Sequence, residues 1–149
     1  MTSARDSEVD EKVGSLLSEM DYRYTSVHRR IVNVLRTSGK PLSNSQIVDL
    51  DCSLAQSSVY RNLRVLEEVG AVTRIVANDE FARYELAEHL TEHHHHIICS
   101  RCGDITDFML PISVEHELEI ALNKAGKNIK FKIDSHRLDA FGTCNSCKI

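Results

Sequence analysis

Four of the five cysteines in this chain stand as two C-x-x-C pairs, Cys99-Ser-Arg-Cys102 and Cys144-Asn-Ser-Cys147. Two such knuckles, brought together, present four thiolates, the ligand set of a tetrahedral structural zinc ion at about 2.3 Å per Zn–S bond. A redox C-x-x-C beside a βαβ pattern would account for one pair but not for two, and disulfides do not persist in a reducing cytosol. The pairs therefore predict that the C-terminal part of the chain closes around a structural Zn2+ held by Cys99, Cys102, Cys144 and Cys147. Cys52 stands apart.

The metal-ligating residue types are unevenly spread. Seven of the eight histidines and four of the five cysteines lie from His89 onward. That asymmetry divides the 149 residues into two small units joined near 87–92: residues 1–86, a hinge at 87–92, and residues 93–149. The second unit is short enough to need a staple such as zinc or a partner subunit.

In the first unit, apolar residues at Val9, Val13, Leu16, Leu17 and Met20 have helical period. Thr25 or Ser26 can cap a second helix with Val27, Ile31, Val34 and Leu35 inward, ending at Ser38-Gly39. Ser43 can cap a short third helix carrying Ile47, Val48 and Leu50. Ser53, with Gln56 three residues on, has the form of a capping box opening a fourth helix, with Val59, Leu63, Leu66 and Val69 inward and Gly70 closing it. Residues 71–76 and 81–86 flank Asn78-Asp79 as a β-hairpin. Three helices, a fourth and a hairpin give the order of a winged helix-turn-helix. In the second unit, 93–99 and 105–108 read as strands around the first knuckle. A helix runs from about Ile112 to a stop at Gly126, and Ile129, Phe131 and Ile133 alternate as a strand leading towards Phe141. The predicted fold class is α+β: an N-terminal winged helix-turn-helix domain followed by a small α/β domain.

The chain has 18 Lys+Arg against 22 Asp+Glu, a net charge of −4, which excludes a protein that coats nucleic acid non-specifically. Charge is nonetheless concentrated locally. Between Tyr22 and Arg64 seven basic residues face two acidic ones, a net +5. On the fourth helix Gln56, Ser57, Tyr60, Arg61 and Arg64 fall outside the apolar stripe, a set of hydrogen-bond donors suited to base edges and phosphates. The competing reading is an ordinary solvated helix face. No apolar run approaches the roughly 18 residues of a membrane span, and the charged N-terminus is unlike a secretory core, so no membrane partner and a cytoplasmic location are expected.

His93-His94-His95-His96 is internal and abuts Ile97-Ile98-Cys99, so it is not a tag. Side chains alternate along a strand, which puts His93 and His95 on one face and His94 and His96 on the other. Each face offers an i, i+2 imidazole pair, half of a borderline-metal site. Partners must come from elsewhere: Glu85, Glu88, His89, Asp107, Glu115, Glu117, His116 and His136 are the candidates. A solvated histidine cluster without an ion is the competing reading.

Together, Ser57-Ser58-Val59-Tyr60-Arg61-Asn62-Leu63, His93 through Gly103, Ser135-His136-Arg137-Leu138 and Phe141 through Cys147 resemble the ferric uptake regulator family of metal-dependent bacterial repressors. The likeness spans roughly residues 10 to 148. It implies a homodimer that binds a double-stranded DNA operator, with a metal-binding dimerisation domain behind the hinge. Carried residue by residue, it implies that Cys99, Cys102, Cys144 and Cys147 hold structural zinc. His93, His95 and His136, with Glu115 as the nearest glutamate, match a second site in the dimerisation domain. His94 and His96 match a regulatory site at the hinge that would take Zn2+, Fe2+ or Mn2+, with an acidic residue at Asp107. Tyr60 and Arg61 correspond to the DNA-reading helix and Arg23 to a basic residue reaching a minor groove.

The sequence departs from the family's pattern. Lys40-Pro41 stands where iron- and peroxide-type members often place a histidine, so one regulatory ligand is missing. Glu115 lies one residue further from Cys102 than usual, and His28 aligns with a position usually basic. The stretch between Tyr84 and His93 is about two residues longer, leaving Glu85, Glu88 and His89 as alternatives. His89, five residues before His94, sits where zinc-sensing relatives carry a cysteine and is the favoured hinge ligand. The expected function is a metal-responsive repressor sensing zinc or iron. The alternatives are a peroxide sensor with His/Asp-bound iron and, in a different class, a zinc-dependent enzyme or a zinc-ribbon adaptor. No H-E-x-x-H or similar motif supports the enzyme.

Overall fold

The computed structural model describes residues 4–76 and 81–148, so the expected turn at Asn78-Asp79 lies outside the described residues. Four helices open the chain: α1 (Ala4–Glu19), α2 (Ser26–Ser38), α3 (Asn44–Leu50) and α4 (Gln56–Glu68). Their apolar periods converge. Val13 and Leu17 of α1, Ile31 of α2, Ile47 of α3 and Val59, Leu63 and Leu66 of α4 are fully buried in one core. Each side chain of that size contributes about 1.5–3 kcal/mol when removed from water. Met20 and Leu50, expected inward, are exposed at the helix ends.

Caps set the helix starts. Thr25 accepts from the His28 amide while the His28 ring reaches back to the Thr25 N–H, and Ser43 and Gln46 form the same reciprocal pair at α3. The expected Ser53–Gln56 box at α4 does not form. Asp51 Oδ1 takes both the Ser53 amide (3.2 Å) and its hydroxyl (2.6 Å), leaving Ala55 as a cap with no side-chain bond. Gly70 closes the helix in the left-handed conformation, φ 77°.

The hairpin follows as β1 (Val72–Val76) and β2 (Ala82–Leu86), paired antiparallel with Thr73 opposite Glu85 and Ile75 opposite Arg83. Its two faces serve different neighbours. Val72, Tyr84 and Leu86 join the helical core, while Ile75, Arg83 and Glu85 alternate to the other side. A single 3-10 turn, Glu88–Leu90, continues from β2. Its Leu90 is buried in the same N-terminal core, and the Ala87 amide donates to the Ala71 carbonyl at 2.9 Å.

The second unit is a three-stranded sheet in the order β4-β3-β5: β3 (His95–Cys99) lies between antiparallel β4 (Ile105–Phe108) and parallel β5 (Asp139–Gly142). Ile98 and Ile105 meet Ile75 of the hairpin in a small, fully buried cluster, so the hairpin rests on this sheet. Helix α5 (Ile112–Asn128) crosses between β4 and β5. It does not stop at Gly126. A Cβ at Gly126 would lie 2.8 Å from the Phe131 carbonyl oxygen, so this glycine serves the close return of the chain and not a helix end. The strand expected over 129–133 is likewise absent, because the described sheet ends at β5 and offers that segment no partner. Ile129 and Phe131 remain exposed.

Candidate metal centres and nucleic-acid face

Period-two geometry places the first cluster. On β2, Glu85 points away from the helical core; on β3, His96 and the preceding His94 point towards it. Glu85 Oε2 lies 3.0 Å from His94 Nε2 and 3.1 Å from His96 Nε2. Asp107 on β4, which pairs with His96, brings its carboxylate oxygens to 3.9 Å and 3.7 Å from the same two nitrogens. The far ring nitrogens are also held. His94 Nδ1 meets the Glu92 carbonyl at 2.8 Å, and His96 Nδ1 meets Asp139 at 3.3 Å, itself clamped by Arg137. Such outer partners fix which nitrogen faces the centre.

Charge in this cluster is arranged around protons. Burial pushes the Glu85 carboxyl up, but hydrogen bonds from His96 and His94 outweigh it and hold it below its ordinary range. Burial works against a charged ring at His94 and His96, yet the acceptors facing them, including Glu85, raise both above the usual value. Asp107 is raised, chiefly by burial. Two imidazolium-prone rings around carboxylates occupy the space in which a divalent cation would replace their protons.

The second cluster lies on the opposite face of the same strand. His95, fully buried, contacts Glu115 of α5. Glu115 Oε2 lies 3.4 Å from His93 Nε2 and 3.3 Å from His136 Nε2. Burial pushes Glu115 up, but the facing histidines, led by His95, leave it lowered. Four buried atoms across the two clusters, Asp107 Oδ1, Glu115 Oε2, His136 Nε2 and His95 Nδ1, have no hydrogen-bond partner among the described residues. Orphaned donor atoms converging on imidazole nitrogens fit a cation.

The cysteines form a third cluster, all four sulfurs within 4.8 Å of one another. Cys102 and Cys144 are 3.7 Å apart, close to the roughly 3.8 Å edge of a tetrahedron with Zn–S bonds of about 2.3 Å. Backbone N–H groups of Cys144, Cys102 and Arg101 bring the Cys99 thiol down to about 6, whereas hydrogen bonding with the Cys144 and Cys102 sulfurs pushes Cys147 up to about 12. Four sulfurs this close become thiolates together only around a cation.

Among the residues left open by the sequence, Glu85 and Asp107 group with His94 and His96, whereas His89, the favoured ligand, lies outside that group on the wall of the same cleft. Ala87 and Leu90 anchor the 3-10 turn by burial, which leaves the His89 side chain exposed. Glu88 goes to the other cluster, where it contacts His93 Nδ1. Glu117 and His116 are exposed on α5 and belong to neither. Lys40, at the position of the missing histidine, pairs across the domain boundary with Asp104 at 3.1 Å. It shares with Glu85, His94 and Asp107 the wall of a cleft of about 870 Å³. His28 is buried in its cap and burial lowers its basicity, so the surface cation there is Arg29, which stacks on Tyr24.

On the candidate nucleic-acid face, Gln56, Ser57, Tyr60, Arg61 and Arg64 are all exposed along α4, and Arg23 is exposed before α2. Among the described residues no helix is long and apolar enough to cross a membrane.

The family model described as the ferric uptake regulator family matches residues 19–141. The peroxide-responsive repressor PerR of Staphylococcus epidermidis is 28% identical over 147 residues, which is 96% of this chain and 92% of that protein. The peroxide operon regulator of Bacillus subtilis is 36% identical over 95 residues, covering 64% of this chain and 60% of that protein. The structure of the Helicobacter pylori ferric uptake regulator Fur, described as revealing three functional metal binding sites, matches with a TM-score of 0.74 at 30% identity. It covers 98% of this chain and 95% of that one.

Proposed function

The chain belongs to the ferric uptake regulator family, and from that premise we propose that it is a metal-responsive repressor of metal homeostasis. It binds a palindromic double-stranded DNA operator as a homodimer when its hinge site is loaded. The observation that carries this reading is the split origin of the hinge donors: Glu85 rides on the DNA-binding hairpin, whereas His94, His96 and Asp107 belong to the second domain. A divalent cation in that site, Zn2+ or Fe2+ with Mn2+ also compatible, supplies bonds that tie the two domains together. Glu85 and the two imidazoles can satisfy those bonds at one inter-domain orientation. Two recognition helices read successive major grooves when about 34 Å apart, so a fixed orientation favours the operator. A coupling of about 1–3 kcal/mol, or roughly 5- to 150-fold in affinity, suffices for a switch.

In this reading Tyr60, Arg61, Gln56 and Ser57 approach base edges from α4, and Arg64 and Arg23 hold phosphate or groove positions. Cys99, Cys102, Cys144 and Cys147 hold structural Zn2+, and His93, His95, Glu115 and His136 form the dimerisation-domain site. The exposed apolar side chains Ile112, Val114, Ile120, Phe131 and Phe141 support a second copy of the chain as the partner that covers them. The domains are 1–86 and 93–149, with 87–92 as hinge.

The test is fluorescence anisotropy on a palindromic duplex selected from a random pool, titrated with Zn2+, Fe2+ and Mn2+. Metal should tighten wild-type binding about 5- to 150-fold and leave His94→Ala and Glu85→Ala unmoved. An affinity indifferent to all three cations in the wild type overturns the reading. A second signal, peroxide, is favoured by the two relatives named above and by the donor set, which without His89 has two nitrogens and two carboxylates and suits iron. Its mark is addition of one oxygen atom to His94 or His96 in Fe2+-loaded protein exposed to peroxide, read by peptide mass spectrometry.

A further inference from the structure

The Glu88 carboxylate has no place in the hinge cluster, yet it lies on the hinge. Its turn is fastened to the N-terminal domain twice, through the buried Leu90 and through the Ala87 amide on the Ala71 carbonyl. Within the turn, Leu90 donates to Ala87 and Thr91 to Glu88. From this anchored position the Glu88 side chain reaches across the boundary to His93 Nδ1, and it lines the cavity that holds His93, Glu115 and His136. His93 in turn presents Nε2 to Glu115 Oε2. The second cluster takes its other three donors, His95, Glu115 and His136, from the C-terminal domain, so Glu88 is its contact with the hinge.

We propose that Glu88 is a positioning residue that accepts the His93 Nδ1–H, aims Nε2 into the dimerisation-domain site, and so makes filling of that site stiffen the hinge. The inference rests on the reading of this cluster as a metal site. A carboxylate on the far nitrogen of a ligating histidine fixes its tautomer and raises its basicity, and loss of such a partner typically lowers metal affinity about 10- to 100-fold. Here the partner sits on the hinge turn, which is fastened to the N-terminal domain, while the ligand it orients belongs to the C-terminal one. By linkage, an ion that draws His93 into place also draws Glu88 and the turn that carries it. The two histidine clusters then act on one hinge from opposite faces of one strand, and each raises the other's affinity by the same factor.

The test uses the full-length protein with its cysteine site intact and His94→Ala as background, so that the hinge cluster is removed. Zinc is titrated against a chelator of known affinity while hydrogen exchange of the 87–92 backbone is followed by mass spectrometry. Loading should slow exchange of the Leu90 and Thr91 amides at least 10-fold. Adding Glu88→Ala should weaken the site about 10- to 100-fold and abolish the protection even at saturating zinc. Glu88→Gln, which keeps an acceptor oxygen, should restore part of both, a rescue that a space-filling role predicts equally for Glu88→Met. Full protection in Glu88→Ala at saturation, or equal rescue by Met, overturns the coupling while leaving the site in place. Unchanged zinc stoichiometry on adding His136→Ala overturns the site itself and the coupling with it.

Discussion

The two faces of β3 carry nearly the same chemistry on differently attached partners. On one face, His94 and His96 meet Glu85 from the DNA-binding domain; on the other, His93 and His95 meet Glu115 and His136 from their own domain. Residue types cannot separate the two sites, since each combines imidazoles with carboxylate. The difference lies in where the partners are attached. On the proposed function, a site whose donors straddle a boundary reports the angle between domains, whereas a site whose donors share a domain reports that domain's integrity and touches the hinge through Glu88.

The strongest way to break this comparison is to remove the end that both faces share. Cys99 terminates β3, and Cys99→Ser should cost the cysteine site its zinc, whose binding is folding energy of up to about 10–16 kcal/mol in small zinc modules. Both histidine clusters and the dimer should be lost together, seen as loss of the dimer in sedimentation and of cooperative melting. A stable dimer would contradict it.

Splitting the faces gives the next effect. His96→Ala should abolish the metal-dependent gain in operator affinity, about 5- to 150-fold, while zinc still binds the second cluster. His95→Ala should lower thermal stability of the C-terminal domain yet leave operator binding responsive to metal. Identical phenotypes would erase the distinction.

Acid sharpens the comparison further. In the metal-free protein the raised His94 and His96 favour the protonated form, a stabilisation present below the ordinary pKa near 6.5 and lost as pH rises through the raised values. Metal must displace those protons, so hinge affinity should fall as pH drops through that window, and a chelator-competition series across it measures the slope. Affinity that is flat with pH would exclude these rings as ligands.

The smallest effects concern residues at the edge of the hinge. His89→Ala should leave metal affinity within two-fold, because the side chain is exposed (an expectation scaled to surface changes of about 0.5 kcal/mol). Lys40→Ala removes a half-exposed pair with Asp104 and should change operator binding by no more than about 0.2–1 kcal/mol, and only at low salt. A large loss at either position would move the functional boundary away from Glu85.

How much of this was legible beforehand follows the range of the forces involved. Alternation is local, so the sorting of the four histidines onto two faces, and the helix caps at Thr25 and Ser43, could be read from neighbouring residues. The fate of segment 87–92 could not, because burial of Leu90 in a core built by residues far earlier in the chain decides that Glu88 turns to His93 and leaves His89 exposed. Gly126 misled for the same reason: the segment it makes room for, Phe131 to Ile133, approaches only after the chain reverses. Ser53 was captured by Asp51, a nearer acceptor than the helix end. The alternating apolar residues at 129–133 signal a surface wanting cover, which pattern alone reads as a strand.

The meeting of Ile75 with Ile98 and Ile105 adds a temperature dependence to the hinge. That seam consists of branched aliphatic carbon and draws its strength from released water, so it weakens on cooling. In the cold, the contact that lets the hairpin rest on the sheet loosens while the carboxylate and imidazole donors keep their grip. The colder the protein, the more completely the posture of its reading head is left to ions.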